Sequence, residues 1–477
     1  MAKYEAVIGL EAHVHLETKT KAFCGCSTEF GQLPNSQVCP VCLGFPGSLP
    51  VLNELAFKYA IKVGLALNCT VQGSTKFDRK HYYYPDLPKN YQISQYDRPI
   101  SKDGFLDIYL GQEPKRIRIK RVHLEEDAGK LIHQDDRSLI DFNRAGIPLL
   151  EIVTEPDISS PEEAYEYLAD LKNIIEYLDV SDCDMEKGSL RCDANISIRL
   201  EGNKELGVKT ELKNMNSFKG VKDALAYEIE RQIGLVESGD KIVQQTRLWD
   251  VKELKTISMR TKEEAKDYRY FPEPDLPLFM IEQEEIAKIK KEIAELPKEK
   301  SRRFMKEYGL SEYDARILVA NKSNADYAEK CFKAWPGGDK KPVANWLIGP
   351  VTSTANAAKV EISQVNIPPA HLSELIVLVE REQVISHLTG KAVLEEMAAT
   401  GASASFIIRK KNLAQISDEA ALEKEIEAVI RENTKSVEDF QAGKGNSLMF
   451  LIGQVMKKTK GKANPKKVQE ILKRRLR

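Results

Sequence analysis

A strictly alternating segment near the start of the chain constrains the fold more than any other feature. From Ile8 to Glu17, apolar residues alternate with Gly, Glu and His, which puts two carboxylates and two imidazoles on the same side. This period of two is typical of a β-strand with one face in the core. Holding such groups together is costly unless they are solvated, paired with one another or bound to a cation. A solvated strand face is therefore the alternative to a functional one.

Two more segments repeat this alternation and extend the polar face. The segments 190–200 and 208–213 carry its charged positions, namely Arg191, Asp193, Lys209, Glu211 and Lys213. Between the first strand and these segments, the apolar phase shifts from Ile117/Ile119 to Val122/Leu124, which indicates a β-bulge. His123, Glu125, Glu126 and Asp127 follow at the end of that strand. Because bulges often lie beside active sites, these residues are candidates for a polar site.

A carboxylate inside an apolar run points in the same direction. Glu151 lies within the sequence LLEIV, so burial would raise its pKa unless a cation or a hydrogen-bond donor compensates. A structural ion pair with Arg or Lys is the alternative to a metal. We therefore expect a mostly antiparallel sheet whose polar face suits Mg²⁺ and a nucleoside triphosphate, with Arg191, Lys209 and Lys213 neutralising phosphate. The sequence contains neither a P-loop nor a G-x-G-x-x-G fingerprint.

Four cysteines form two close pairs early in the chain. Cys24 and Cys26 precede Cys39 and Cys42 by twelve residues, a spacing that predicts a tetrahedral Zn²⁺ site. With four thiolate ligands such a site has no open position, so we expect it to be structural. Reduced cysteines without metal, or a disulfide, are the alternatives.

Aromatic and basic residues are interleaved in the irregular segment 77–100. Its Arg79, Lys80, Tyr82, Tyr83 and Tyr84 are candidates for stacking on unpaired bases and contacting phosphate. A Tyr-rich packing loop is the alternative. The same mixture of Tyr, Arg and Pro returns at 259–277.

Charge is segregated along the 477 residues. Residues 451–477 carry a net charge of +9, which leaves −10 on residues 1–450 because the whole chain carries −1. This basic end, including Lys457, Lys458 and Lys460, is a candidate nucleic-acid contact, with a disordered solubilising tail as the alternative. No apolar run approaches the ~20 residues that span a bilayer, and the first residues do not look like a signal peptide. We expect a cytoplasmic enzyme without a membrane segment.

The pattern predicts an α+β protein in three parts. We expect a mostly antiparallel-sheet cradle domain with the cysteine knuckle over 1–292 and a helical domain over 293–404. A small, basic, nucleic-acid-binding helical tail should cover 405–477. The amphipathic periodicity that begins near Ile293 and resumes around residues 419–433 supports the two helical parts.

Several long motifs together resemble the GatB/GatE family, the B subunits of aspartyl/glutamyl-tRNA amidotransferases. The motifs are VIGLEAHVHLET, CGC…CPVC, KFDRKHYYYPDLPKNYQISQ, HLEEDAGK, DFNRAGIPLLEIVTEPDI, GSLRCDANIS, ELKNMNSF and DYRYFPEPDLP. The resemblance implies a heterotrimer with an amidase subunit and a small third subunit. In that complex, the family member phosphorylates the side-chain carboxylate of Glu-tRNA(Gln) or Asp-tRNA(Asn) with ATP and Mg²⁺. Ammonia from glutamine hydrolysed in the amidase subunit then completes the amide, which makes the complex an ATP-dependent carbon–nitrogen ligase.

The resemblance also assigns roles to residues. It puts the phosphoryl-transfer site on Glu11, His13, Glu125 or Glu126, and Glu151, with Asp193 and Glu211 close by; Glu11, His13, Glu126 and Glu151 are the expected Mg²⁺ ligands. Whether Arg79, Lys80 and Tyr82–Tyr84 contact the tRNA acceptor end or ATP stays open. Two other functions also stay open: a stand-alone ligase with its own ammonia source, and a non-catalytic tRNA-binding scaffold.

Overall fold

The computed structural model describes residues 3–111, 113–261, 268–414, 419–442, 444, 446–459 and 463–476. The chain divides into two compact units, Met1–Leu296 and Pro297–Arg477. The division lies four residues after the predicted boundary at 292/293.

The first unit contains the strands of the described chain. They are β1 (Tyr4–His15), β2 (Thr70–Val71), β3 (Ser74–Thr75), β4 (Asp78–His81), β5 (Tyr91–Ser94), β6 (Ser101–Tyr109), β7 (Pro114–Glu126), β8 (Lys130–Gln134), β9 (Arg137–Asp141), β10 (Pro148–Thr154), β11 (Leu190–Leu200), β12 (Thr210–Met215), β13 (Gln245–Asp250), β14 (Lys255–Thr261), β15 (Phe271–Pro272) and β16 (Phe279–Met280). Its helices are α1 (Glu54–Ala66), α2 (Pro161–Tyr177), α3 (Phe218–Glu237) and α4 (Gln283–Glu292).

A large sheet organises this unit. Nine of the described strands are hydrogen-bonded in the order β14-β13-β12-β11-β1-β10-β7-β6-β2. Neighbouring strands are antiparallel except for β12 and β13, which are parallel. Three small sheets accompany it, formed by β15-β4-β5, β16-β3 and β8-β9. The mostly antiparallel sheet and the α+β class predicted from the sequence are therefore confirmed.

One face of the large sheet is apolar and covered by helices. Ile8, Leu10, Ala12 and Val14 of β1 are buried in a core that also takes in residues of α1, α2 and α3. Local signals begin these helices: the side chains of Asn53, Ser160 and Ser217 accept hydrogen bonds from backbone N–H groups of their first turns. Because α1–α3 occupy the apolar face, the opposite face is left for polar side chains.

The predicted bulge is present in β7. Arg121 pairs with Val153 of β10, whereas Ile119 pairs with Thr154, so Lys120 is an extra residue on the β7 side. Ile119 and Val122 are both buried in the core. The change of apolar phase in the sequence therefore marked a real insertion into the ladder.

The second unit is helical over its described residues. Its helices are α5 (Pro297–Tyr308), α6 (Glu312–Val319), α7 (Lys322–Ala334), α8 (Lys341–Trp346), α9 (Thr352–Ala358), α10 (Pro369–Ile376), α11 (His387–Thr400), α12 (Ala404–Lys411), α13 (Glu419–Glu432), α14 (Thr434–Gln441), α15 (Asn446–Lys458) and α16 (Pro465–Leu476). Helix α12 packs against α10 and α11, although the sequence placed nearly all of it in the tail. Helices α13–α16 share a separate apolar core with residues such as Leu422, Leu451 and Leu472.

Candidate functional site: an acidic and imidazole cluster on the sheet

Strand register gathers four of the polar residues into one row. Arg191 of β11 pairs with His13 of β1, His13 with Glu151 of β10, and Glu151 with His123 of β7. Directly opposed residues in neighbouring strands point to the same face of a sheet. The four side chains therefore cross the polar face side by side, although they come from four separate parts of the sequence.

Glu151 is the centre of this row. Its Oε2 lies 3.5 Å from Nε2 of His13 and 3.2 Å from Nε2 of His123. His13 also lies 3.6 Å from a carboxylate oxygen of Glu11, and His123 lies 3.5 Å from one of Glu125. Two groups, Glu11/His13/Glu151 and His123/Glu125/Glu151, each place their ligand atoms within 4.8 Å of one another. They share Glu151, and either donor set suits a hard divalent cation that accepts oxygen and imidazole ligands.

The ionisation of these groups follows from burial and mutual charge. Burial would raise the pKa of Glu151, but His123 and His13 hold it well below its ordinary value. Burial would likewise lower the pKa of His123, but the carboxylates of Glu151 and Glu125 raise it to about 9. Glu11 behaves differently, since burial and repulsion from Glu151 both raise its pKa. The cluster carries an excess of negative charge at Glu11, which a cation would relieve.

A second row runs along the β11 side of the cluster. Asp193 pairs with Glu11 in the ladder, and its carboxylate accepts a hydrogen bond from Lys213. Lys213 also lies 3.3 Å from Glu211, whose other oxygen accepts a hydrogen bond from Thr246. Although burial would lower the pKa of Lys213, Asp193 and Glu211 raise it, so the ammonium group persists beside the acidic cluster. The structure thus brings together Asp193, Glu211 and Lys213, as the sequence patterns suggested.

Glu126 does not join the cluster that it was expected to help form. Its carboxylate accepts hydrogen bonds from Lys89 and from the backbone N–H of Ile93, 2.9 Å away. Glu125, the residue before it, carries the ligand oxygen and is held by Ser94 Oγ at 2.9 Å. Alternate residues of a strand point to opposite sides, so at most one of the two adjacent glutamates reaches Glu151. The structure selects Glu125 and turns Glu126 towards the loop of Lys89.

A neighbouring polar cluster joins Asp127 and Arg191, which the sequence patterns named as candidates, to His15 and Arg144, to which they gave no role. Asp127 Oδ2 lies 2.6 Å from Nε2 of His15 and 2.7 Å from a nitrogen of Arg191, while Arg144 lies 3.4 Å away. Burial would raise the pKa of Asp127, but Arg191 and Arg144 hold it well below its ordinary range. One guanidinium nitrogen of Arg191 therefore donates its hydrogen bond to Asp127. All four residues lie in the polar motifs of the sequence. Only the strand pairing in the fold shows that they contact one another.

A groove continues the polar face beyond Glu11. Its volume is about 390 Å³, and its lining includes Gly9, Glu11, Asn195, Lys120 and Lys209. Lys209, expected to neutralise phosphate, is exposed on this groove rather than in the carboxylate cluster. A Cβ on Gly9 would be 3.9 Å from Pro156 and Thr154, so the floor of the groove at this position is backbone. Two ammonium groups on a groove next to an acidic cluster suit an extended anion whose other end carries a cation.

The four cysteines come together as the spacing predicted. The sulfurs of Cys24, Cys26, Cys39 and Cys42 all lie within 4.8 Å of one another. A hydrogen bond between the first and last of them lowers the pKa of the Cys42 thiol to about 5 and raises that of Cys24. The fully buried Lys21 adds a positive charge, with Nζ 3.8 Å from the Cys42 sulfur. Four soft donors at this separation fit Zn²⁺.

The aromatic segment forms a surface around the small sheet of β4, β5 and β15. Tyr83 and Tyr84 are exposed, whereas Tyr82 is less so and its hydroxyl lies 3.3 Å from Gln92. Lys80 lies under this surface. Burial would lower its pKa, but the charges of Glu125 and Glu151 raise it. Lys80 therefore belongs to the surroundings of the acidic cluster.

Arg79, a candidate contact for nucleic acid or ATP, is bonded to carboxylates of this chain. Its guanidinium donates two hydrogen bonds to Glu273, at 2.7 and 2.8 Å, and a third to Asp275 at 3.2 Å. The ring of Tyr91 lies 4.4 Å beneath it. These contacts hold β4 to the segment after β15. The contact of Arg79 with nucleic acid or ATP stays a prediction.

The basic end of the chain is only partly described. Lys457 and Lys458 end α15, and Lys458 donates a hydrogen bond of 2.6 Å to Glu432 of α13. Lys460 lies outside the described residues. Helix α16 adds Lys473, Arg474 and Arg475 in its last turn. None of the described helices is both long and apolar enough to cross a membrane.

Comparisons with known proteins show the family of this chain. A family model described as the GatB/GatE catalytic domain matches residues 6–287, and one described as the GatB domain matches residues 326–476. Among B subunits named for an "Aspartyl/glutamyl-tRNA(Asn/Gln) amidotransferase", that of Caldanaerobacter subterraneus is 54% identical over 475 residues, covering 99% of each chain. The one from Carboxydothermus hydrogenoformans, which has the same name, is 53% identical over 481 residues, covering 100% of this chain and 99% of the relative. The chain therefore belongs to the GatB/GatE family.

Proposed function

We propose that this chain is the component of a tRNA-dependent amidotransferase that activates the side-chain carboxylate of Glu-tRNA(Gln) or Asp-tRNA(Asn). The buried carboxylate and imidazole cluster centred on Glu151 carries this proposal, because it lies on the polar face of the domain matched by the family's catalytic-domain model. The names of the similar proteins supply the substrate class.

Two chemical steps are required. First, an oxygen of the tRNA-bound carboxylate attacks the γ-phosphorus of ATP while the bond to the bridging oxygen of ADP breaks, which gives an acyl phosphate and ADP. Second, ammonia attacks the acyl carbon, phosphate leaves, and the new nitrogen loses a proton to give the amide. The first step is needed because a carboxylate is a poor acceptor for ammonia, whereas phosphate is a good leaving group.

The polar face offers residues for the first step. Glu11, His13, Glu125 and Glu151 would hold Mg²⁺, which when bound neutralises charge on the transferring phosphoryl group. Lys80 and Lys213 keep positive charge beside the cluster, and Lys120 and Lys209 line the adjoining groove. Such preorganised charges act where phosphoryl oxygens gain negative charge, without rearranging during the reaction.

The partners and the remaining cofactor follow from the same proposal. We infer that an amidase subunit supplies ammonia from glutamine and that a small third subunit completes a heterotrimer in the cytoplasm. The four cysteines would bind a structural Zn²⁺ whose closed thiolate set leaves no position for substrate. The exposed rings of Tyr83 and Tyr84 suit stacking on an unpaired acceptor end, and the basic helix α16 suits the tRNA backbone.

The decisive experiment assembles this chain with the amidase subunit and the small third subunit and follows amidation of Glu-tRNA(Gln). ATP, Mg²⁺ and ammonium chloride are supplied, so glutamine hydrolysis is bypassed. We expect the wild-type complex to form Gln-tRNA(Gln) and the Glu151→Gln complex to lose at least about 1,000-fold in rate, since the shared ligand loses its charge.

A matched control separates chemistry from folding. Glu5 lies at the other end of β1 from the cluster and pairs with Arg199, so Glu5→Gln should keep the wild-type rate. Both variants must bind Glu-tRNA(Gln) and melt near the wild-type temperature. Equal activity of the Glu151→Gln and wild-type complexes would move activation to one of the partner proteins and leave this chain as a tRNA-binding scaffold.

A further inference from the structure

The bulge in β7 gives the polar face two cations that a regular strand would not place together. Lys120 is the extra residue, and it follows the core residue Ile119, while Arg121 precedes the core residue Val122. The side chains of Ile119 and Val122 point to the helical side of the sheet. Those of the two residues between them, Lys120 and Arg121, therefore both point to the polar side. Consecutive residues of a regular strand would point to opposite faces.

Arg121 differs from the other arginines of its own strand. Arg116 makes two hydrogen bonds to Asp107, at 2.8 and 3.1 Å, and Arg118 makes two to Asp157, at 2.8 and 2.7 Å. Arg121 instead reaches Oε1 of Glu151 at 3.8 Å, which is too long for a hydrogen bond. Its Nε is buried and has no hydrogen-bond partner among the described residues.

The buried Nε–H of Arg121, which has no hydrogen-bond partner among the described residues, is costly in the protein alone. A buried donor without a partner forfeits its hydration, and the cost is greater for a charged group. Arg116 and Arg118 each hydrogen-bond a carboxylate. The described carboxylate nearest to Arg121 is that of Glu151, which also pairs with both histidines of the cluster. The geometry of Arg121 therefore points to an anion that is supplied from outside the chain. The planar fork of a guanidinium matches two oxygens of a phosphoryl group.

The surroundings define where this anion lies. Arg121 contacts Glu151, which is shared by both groups of possible cation ligands. Lys120, the preceding residue, lines the groove that begins at Glu11. A polyphosphate lying from the groove to the cluster would therefore pass Lys120 first and end between Arg121 and the cation ligands.

We propose that Arg121 binds the phosphoryl group that is transferred from ATP to the tRNA-bound carboxylate, and that the β7 bulge places Lys120 beside it on the polar face. This inference rests on the proposed function. As the bond from γ-phosphorus to the bridging oxygen of ADP breaks and the bond to the carboxylate oxygen forms, Arg121 donates hydrogen bonds to the non-bridging oxygens. It then holds the same phosphate when ammonia displaces it.

The test compares Arg121→Gln and Arg121→Lys with Arg118→Gln in the complete heterotrimer. The rate of ADP formation dependent on Glu-tRNA(Gln) is measured with ATP, Mg²⁺ and ammonium chloride. We expect Arg121→Gln to lower this rate about 100-fold or more, and Arg121→Lys to lower it less because it keeps the charge without the fork. Arg118→Gln should stay within about twofold, since Arg118 pairs with Asp157 on an exposed site.

Chemical rescue gives the readout that a purely structural arginine would not change. Added guanidinium chloride, at concentrations that leave the melting temperature unchanged, should restore part of the Arg121→Gln rate, and an equal concentration of sodium chloride should not. Wild-type rates in Arg121→Gln, or a loss without any rescue while Arg121→Lys is equally inactive, would overturn the inference. Failure of the wild-type complex to consume ATP would instead overturn the proposed function, so the two failures are distinguishable.

Discussion

Among its described residues, the first unit has a sheet cluster with two overlapping sets of possible cation ligands and a separate cysteine group, and the two sites are built in opposite ways. The cluster around Glu151 uses oxygen and imidazole donors that come from β1, β7 and β10 of one sheet. The cysteine group uses four sulfurs from one loop segment, 24–42, before the first helix. The sheet cluster is held in place by backbone pairing between distant strands. The cysteine loop would instead be held in shape by a metal ion that its four sulfurs bind.

This difference separates chemistry from stability. Strand pairing holds Glu11, His13 and Glu151 in place whether or not a cation is bound, so the fold tolerates the repulsion between Glu11 and Glu151 that a cation would relieve. The cysteine loop has exposed apolar side chains, such as Phe30 and Leu33 at 73% and 78% exposure, and therefore little core of its own. Removing charge from the sheet cluster should cost activity, and removing sulfur from the loop should cost stability.

After Glu151, the largest effect is expected at Glu11. Glu11→Gln should lower the rate of ammonium-dependent amidation about 100-fold or more, because one cation ligand loses its charge. The melting temperature should stay the same or rise, since the pKa of Glu11 is raised by burial and by Glu151, so folding disfavours its charge. Amidation kinetics and calorimetry on the same preparation check both parts. A lower melting temperature with unchanged kinetics would make Glu11 a structural residue.

The double substitution Cys39→Ser/Cys42→Ser should have the reverse outcome. Zinc content, measured by atomic absorption, should fall from one atom per chain to none, and the melting transition of the first unit should drop by roughly 10 °C. Amidation at 25 °C should remain within about fivefold of wild type. Cys331→Ala, which removes a thiol from α7 in the second unit, controls for cysteine loss and should keep its zinc. Loss of activity as large as that of Glu11→Gln would break the comparison.

The two groups also differ in how far the sequence predicts them. The four cysteines are close together in the sequence and lie in one loop, so their spacing alone predicts that all four meet. The carboxylate cluster depends on pairing between residues more than 100 positions apart, such as His13 with Glu151. Alternation predicted which side of each strand is polar, and the phase shift predicted the bulge in β7. Neither fixes which residue of one strand faces which residue of the next.

The choice between Glu125 and Glu126 shows the same limit. Both follow an alternating strand, and a shift of one residue exchanges them between the two sides. In the register of β7 against β10, Glu125 pairs with Leu149, which lies two residues before Glu151 and so on the same side of the sheet. Glu126 pairs with Pro148 at the end of the strand and points to the other side. Arg121 and the His15–Asp127 contact were not recognised for the same reason, since their significance lies in partners that only the sheet supplies.

Stability of the sheet cluster should depend on pH in a way that the cysteine loop does not. The pKa of His123 is raised from 6.5 to about 9 by Glu151 and Glu125 against the opposing effect of burial. A raised pKa means that its contribution is fully present below pH 6.5 and is lost as the pH rises through about 9. In the presence of a chelator, wild type should exceed His123→Gln in unfolding free energy at pH 6 by on the order of 3 kcal/mol.

That difference should shrink towards zero by pH 9.5. Urea unfolding of both proteins at matched pH values measures it, and subtracting the two removes contributions from the second unit, which is the same in both. A difference that stays constant across pH would show that His123 stabilises the sheet by packing alone. His133, on β8, provides a control, since His133→Gln at this exposed position should leave the pH profile of wild type unchanged.

The smallest effect on activity is expected from Lys21, which connects the cysteine group to the rest of the unit. Four thiolates on Zn²⁺ carry a net charge of −2, and the buried ammonium of Lys21 lies 3.8 Å from the Cys42 sulfur while donating to the carbonyl of Phe142 at 3.2 Å. Lys21→Met keeps the length of the side chain and removes the charge, so zinc affinity should fall about 10-fold. Amidation should change less than twofold, because the charges of the sheet cluster are set by its own strands.

Competition with a coloured zinc chelator measures the affinity. A large loss of amidation with zinc still bound would mean that the cysteine loop positions the catalytic strands, and the separation between a chemical and a structural cation site would no longer hold.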